Sequence, residues 1–210
     1  GGNGANAGTS GTSGSRGAES TVSPSSPGFL VTSNNVTIDG FEVAGGHPGV
    51  RLDGANGATV KNNHIHGQLG GNDTTDDGIQ IVNSQNVTIE DNHINNVGDE
   101  GIYGTGNIDG LLVQRNLVED TGRTAAGTIH TIELVNASGD AQFLNNIVRA
   151  GSPFTNHAFR FKDSGSLGEI TMFNNSVTGY TGFAVFNDTN ATINASGNYW
   201  GVTNEADVAA

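Results

Sequence analysis

The sequence contains no cysteine, so no disulfide holds the fold and thiols give no clue to redox compartment. Basic residues are scarce: 8 Lys and Arg stand against 21 Asp and Glu, a formal net charge of -13. Such a chain repels nucleic-acid phosphates, and a polyanionic substrate needs a bridging cation to approach it. No apolar run reaches the length of a membrane span. Good helix formers are few. Glycine is not: 33 of the 210 residues are Gly, a composition for tight turns and short strands. The sequence begins at Gly1 without a signal peptide, which reads as a processed chain or a piece of a longer one. Residues 1–27 hold almost no large apolar side chain and read as a flexible Gly/Ser/Asn-rich segment, with ordered structure expected from near Phe29.

From residue 28 onward one phrase recurs: apolar, any, apolar, two polar residues, Asn, any, apolar. It is written at Ala58–Ile65, Val87–Ile94, Leu111–Val118, Ala141–Val148 and Ile170–Val177. Val36–Val43 is a variant with Phe41 in the Asn slot, and Ala191–Trp200 is a looser last copy. The Asn residues fall at 63, 92, 116, 146 and 175, spaced 24 to 30 residues apart. Period-two alternation over three residues makes each phrase a short strand, and the Asn turns the chain into the next. A second phrase lies between the copies: Gly49-Val50-Arg51-Leu52, Gly78-Ile79-Gln80-Ile81, Thr131-Ile132-Glu133-Leu134, Ala158-Phe159-Arg160-Phe161 and Gly182-Phe183-Ala184-Val185, with Gly101-Ile102-Tyr103-Gly104 a weaker match.

Several strands and corners per 24 to 30 residues describe one coil of an all-β solenoid, about seven coils in all. Stacked coils share one core that a lone coil cannot close. Strands are predicted at 36–38, 58–60, 87–89, 111–113, 141–143 and 170–172. The core then includes Val36, Ile38, Val60, Ile65, Val87, Ile89, Ile94, Val113, Val118, Phe143, Val148, Ile170, Met172 and Val177, with the Asn residues stacked in one inward column. This repeat resembles the right-handed parallel β-helix superfamily, which includes pectate-lyase-like enzymes, alginate epimerases, phage tailspikes and many surface proteins. The resemblance covers residues 28–201, and the NYWG at Asn198–Gly201 is similar to the closing phrase of such repeats. It implies the fold and leaves the chemistry open.

Aligning the second phrase builds a candidate site. The outward slot reads Arg51, Gln80, Tyr103, Glu133, Arg160 and Ala184 on successive coils, and the position before it reads Pro48, Asp77, Glu100, His130, His157 and Thr181. Equivalent Cβ atoms on adjacent strands lie roughly 5 Å apart. One face therefore gathers acids, a phenol, imidazoles and a guanidinium, an expected groove for binding or processing a polysaccharide or cell-surface glycan. Asp77, Glu100, Tyr103, His130 and Arg160 are the candidate catalytic residues; Arg51, Gln80, Glu133 and His157 are the candidate substrate contacts. Paired carboxylates suit glycoside hydrolysis. His130 as proton-transfer group, with Arg160 neutralising a uronate, suits a lyase or epimerase. Asp76-Asp77-Gly78-Ile79 looks somewhat like the paired-Asp strand of polygalacturonase-type hydrolases, but the Gly-His-Gly and Arg-Ile-Lys phrases of that group are not present, nor is the Asp-Pro-His-Asp of alginate epimerases.

Asp73, Asp76 and Asp99, beside Asp77 and Glu100, are candidate ligands for Ca²⁺, which takes six to eight oxygens. His64 and His93 share a slot in consecutive coils, with Glu42 one coil below and His66 two residues on; this reads first as an outward polar stack. The other functional class open to the chain is a non-enzymatic structural or adhesive module, such as a stalk, sheath or filament subunit. Solenoid ends expose unpaired strand edges, so self-association through them is expected of such a module. A polysaccharide partner and the module reading both place the chain outside the cell or at its surface.

Overall fold

The computed structural model describes residues 20–70, 75–123, 129–151, 155–162 and 166–201. Among these there is no helix, and so none long and apolar enough to cross a membrane. All paired strands run parallel and stack as a three-faced solenoid. The first face is a 7-stranded sheet that stacks Ser20–Val22, Phe41–Ala44, His64–His66, His93–Asn95, Leu117–Glu119, Ile147–Arg149 and Ser176–Thr178 in that order. The second face begins with Phe29–Val31, Val50–Asp53, Ile79–Val82 and Ile102–Asn107; the third begins with Thr37–Asp39, Thr59–Lys61, Thr88–Glu90 and Leu111–Gln114. A single 16-residue strand, Ile129–Leu144, bends from the second face onto the third and joins their hydrogen bonding.

The chain enters the solenoid earlier than composition suggests. Ser20–Val22 pairs with Phe41–Val43, so order does not wait for Phe29. Three main-chain pairings and the Thr21–Glu42 contact supply what the small side chains of this segment lack. Third-face strands sit about one residue later than expected at three places, at Thr37–Asp39, Thr59–Lys61 and Thr88–Glu90. Val36 accordingly lies just before its strand and is half-buried, whereas the other core residues named from the sequence are buried. In the three-residue strands of the first face the middle side chain points in and its neighbours point out.

The Asn column forms as the repeat implies. Asn63, Asn92, Asn116, Asn146 and Asn175 are all buried. From Asn92 onward each side-chain oxygen accepts both the main-chain N–H and the Nδ2 of the Asn one rung earlier; Asn116 Oδ1, for example, takes both from Asn92 at 3.0 Å. Each Nδ2 also donates to a core-strand carbonyl, as Asn116 does to Ile89 at 2.9 Å. Asn198 extends the ladder by one step, and Phe41 fills the first slot with its N–H donating to Asn63. The preceding residue makes the corner possible: Asn62, Asp91, Arg115, Asn145 and Asn174 all hold positive φ, a left-handed conformation for which Asn and Asp are suited.

A second column fixes the approach to the second face. A Cβ added at Gly28, Gly49 or Gly78 would lie 2.4, 2.8 or 2.6 Å from the carbonyl oxygen of the next glycine in the column. These glycines exist because one backbone passes directly over another, which is why the second phrase opens on Gly in the lower coils.

Candidate functional site

Strand pairing places the outer residues of the second face in one row. Leu30, Arg51, Gln80, Tyr103, Glu133, Arg160 and Phe186 are register partners in turn. The row matches the sequence alignment up to Arg160 and departs from it at the last rung. There Val185 pairs with Phe159, so Phe186 and not Ala184 occupies the slot, and Phe183 rather than Thr181 precedes it. The glycine signal in Gly182-Phe183 led to a register two residues early.

The acids collect at the approach to this row. Asp77, Asp99 and Glu100 each bring a carboxylate oxygen to within 4.8 Å of the others. All three are buried: Asp77 has no exposed surface, and Asp99 and Glu100 keep 6% each. Burial is the main force on Asp77, and the Asp99 charge adds to it; together they push its carboxyl well above the ordinary range. Glu100 is pushed up likewise, by burial first and then by Asp77, Asp99 and Glu133. The cluster therefore holds protons at a pH where an exposed carboxyl has lost them. Asp77 accepts from the Glu100 N–H at 3.2 Å and from Gln80 Nε2 at 3.1 Å. Gln80 in turn accepts from Arg51, whose guanidinium also holds Asp53 at 2.9 Å. Arg51 and Gln80, expected as substrate contacts, form a hydrogen-bonded relay to Asp77.

Higher on the same face Arg160 Nη1 donates to Glu133 Oε1 at 2.6 Å and to His130 Nε2 at 2.9 Å. Glu133 is raised nonetheless, because burial outweighs the pull of Arg160. His130 is fully buried, and burial, Arg160 and His157 together depress it to about 3. Its Nε2 accepts, so its proton sits on Nδ1, a buried atom with no hydrogen-bond partner among the described residues. His157 stacks on His130 at 5.0 Å, and its Nδ1 accepts the Phe183 N–H at 2.9 Å. Burial and Arg160 lower it as well. Tyr103 is half-buried, and burial and the Glu133 charge raise its hydroxyl, which stays protonated.

These positions correct the expectation of one open groove. Asp77 and His130 share the face but are fully buried, whereas Asp99 and Glu100 keep 6% exposure each. His130 in particular is a neutral group spoken for by Arg160, not an exposed base. The expected metal trio also divides. Asp76 is buried and bonds His47 Nδ1 at 2.6 Å, Asp99 joins Asp77 and Glu100, and Asp73 lies outside the described residues. His47 carries no repeat signature and was not legible as Asp76's partner. Nor was the hydroxyl chain from Thr121 to Thr131 at 3.1 Å and on to Tyr180 at 2.7 Å, whose ends lie far apart in sequence.

With the three faces, the Asn ladder and the site in view, comparison with known proteins assigns the family. Residues 27–199 match the family described as right handed beta helix region. The chain belongs to the right-handed β-helix family. The match spans every strand from Phe29–Val31 to Thr192–Asn194 and agrees with the parallel pairing of all three faces. No curated protein and no solved structure matches the chain. Membership of the β-helix family fixes the scaffold; chemistry has to be argued from the site.

Proposed function

We propose that this β-helix protein binds and processes a polysaccharide along its second face by acid catalysis of glycosidic bond cleavage, with Glu100 as proton donor. The observation that carries the reading is the buried trio Asp77, Asp99 and Glu100, whose carboxylate oxygens lie within 4.8 Å of one another. A carboxyl kept protonated by burial and by neighbouring charge is what general acid catalysis at neutral pH requires. Close carboxylate spacing favours retention over inversion, which needs about 6.5–9.5 Å to admit a water: Glu100 protonates the leaving oxygen, Asp99 bonds the anomeric carbon, and water, deprotonated by Glu100, then releases the sugar from Asp99. Asp77 lies deepest, and its role is to share the cluster's charge and hold the proton on Glu100. The row Tyr103, Glu133 and Arg160 extends along the stacking direction, a geometry suited to a linear polymer, with Tyr103 as hydroxyl donor and Arg160 as the cationic contact. Lyase or epimerase chemistry is less well supported, because its best base, His130, is buried with Nε2 engaged by Arg160.

Ca²⁺ enters the proposal as the ion that brings a polyuronate to so acidic a surface; a neutral glycan needs none. Polymers of this kind place the protein's work outside the cell or at its surface. The test is a screen of purified protein against neutral glycans, pectate and alginate, with and without Ca²⁺, read by reducing ends, by unsaturated products and by binding. Release of reducing ends by the native protein, lost in Glu100→Gln, supports the proposal. No turnover and no binding of any polymer would overturn it in favour of a structural or adhesive module.

A further inference from the structure

The first face carries a polar constellation that the glycan reading does not use. Glu42, His64 and His93 stand in register in one outer column, and His66 lies two residues beyond His64 on the same side of the sheet. The column continues through Leu117, Ile147 and Ser176, so the sheet itself accepts apolar side chains at this position and does not demand imidazoles. His66 Nε2 lies 3.1 Å from Glu42 Oε1. The His64 and His66 rings stack at 4.3 Å, and those of His64 and His93 at 4.9 Å.

One ligand atom from each of Glu42, His64 and His66 lies within 4.8 Å of the other two. Two imidazole nitrogens and one carboxylate oxygen are a donor set suited to Zn²⁺, which binds them at about 2.0–2.2 Å in tetrahedral geometry. Those bond lengths put tetrahedral ligand atoms about 3.3–3.5 Å from one another. The Glu42–His66 distance is already shorter than that, and the remaining closure is a matter of side-chain rotation, because all three residues are only partly buried. The backbone needs no change, since strand pairing has fixed where the three residues stand. Thr21 Oγ1 donates to Glu42 Oε2 at 2.8 Å, which orients the carboxylate and leaves Oε1 turned toward His66. An orienting partner of this kind is the usual companion of a metal-binding carboxylate.

We propose that Glu42, His64 and His66 form a Zn²⁺ site on the first face, separate from the buried acids of the second, with a fourth position open to water or a small anion. Thr21 is a positioning residue for it. The site ties Ser20–Val22, the first strand of the solenoid, to the two rungs that follow.

The test is calorimetric titration of the metal-free native protein with Zn²⁺, together with the visible absorption of a Co²⁺-loaded sample. The expected result is one ion per chain and the intense visible bands of tetrahedral Co²⁺. His66→Gln and Glu42→Gln abolish both, while Thr21→Ala weakens Zn²⁺ about tenfold. Glu100→Gln leaves the Zn²⁺ affinity unchanged, which keeps this result independent of the glycan reading. These partly exposed positions are not core residues, and far-ultraviolet dichroism of each variant confirms that the solenoid is retained. No Zn²⁺ binding by the native protein overturns the proposal. So does binding that His66→Gln and Glu42→Gln leave intact, because the ion then sits elsewhere.

Discussion

Arg160 reaches one rung back to place Nη1 2.9 Å from Nε2 of His130, so the guanidinium donates to a ring nitrogen that must carry no proton. Burial first, and then that neighbouring charge, is why His130 stays neutral far below the ordinary imidazole range. The group binds a proton more readily unfolded than folded. Its contribution to stability is therefore complete above about pH 6.5 and lost as pH falls toward about 3. Across this window the urea midpoint of the native protein minus that of His130→Phe is expected to rise with pH, whatever the other groups contribute to both. A profile unchanged by the substitution contradicts the assignment.

The acidic trio has the opposite sign. Asp77 and Glu100 are raised when folded, so the folded state holds protons that the unfolded chain releases near pH 4. Their contribution is fully present below that pH and declines as pH rises through the elevated folded values. Asp77→Asn keeps the Gln80 side of its hydrogen bonding and removes one charge. The variant is expected to lose less stability than the native protein as pH rises above about 4.

Glu100→Gln removes the proposed proton donor with little change of shape. On whichever polymer the native protein cleaves, turnover should fall by about 10²- to 10⁴-fold, with binding largely retained. Turnover equal to that of the native protein rules Glu100 out as the acid.

The Asn ladder offers a stability test free of any functional reading. Asn116→Leu strands the Asn92 N–H and Nδ2 donors, removes the Nδ2 bond to the Ile89 carbonyl and leaves Asn146 Oδ1 with only the main-chain N–H of residue 116. Buried groups left without partners make the expected loss about 1–3 kcal/mol in chemical denaturation. Asn116→Ser, which keeps a hydroxyl but cannot span the gap, should fall between.

Gly78→Ala probes the backbone crossing. Its new methyl would sit 2.5 Å from Ile94 Cγ2 and 2.6 Å from the Gly101 carbonyl oxygen, so two rungs must separate. The expected cost is about 1–3 kcal/mol. Gly54→Ala, where nothing lies within 4 Å, meets only the penalty of its positive φ and should cost less.

The sequence by itself determined the solenoid, because in a stacked fold each rung obeys the same local rule. An inward Ile, Val or Phe, a left-handed corner residue and a bonded Asn must recur at every turn, and this recurrence is visible without coordinates. It also aligned Arg51 through Arg160 in one row, since parallel pairing keeps equal slots together. The tertiary structure alone decided what each of those residues does. Asp77 and His130 are fully buried while His157, in the equivalent slot, is only partly so, a difference that the repeat does not state. Asp76 found His47, and Thr131 found Tyr180, through loops and across rungs that share no slot. The last rung slipped by two residues because Phe159 pairs with Val185, and that register is fixed by core packing rather than by the nearer glycine. Repeats write the backbone path into the sequence; burial, and with it proton affinity, is decided only once the coils are stacked and packed.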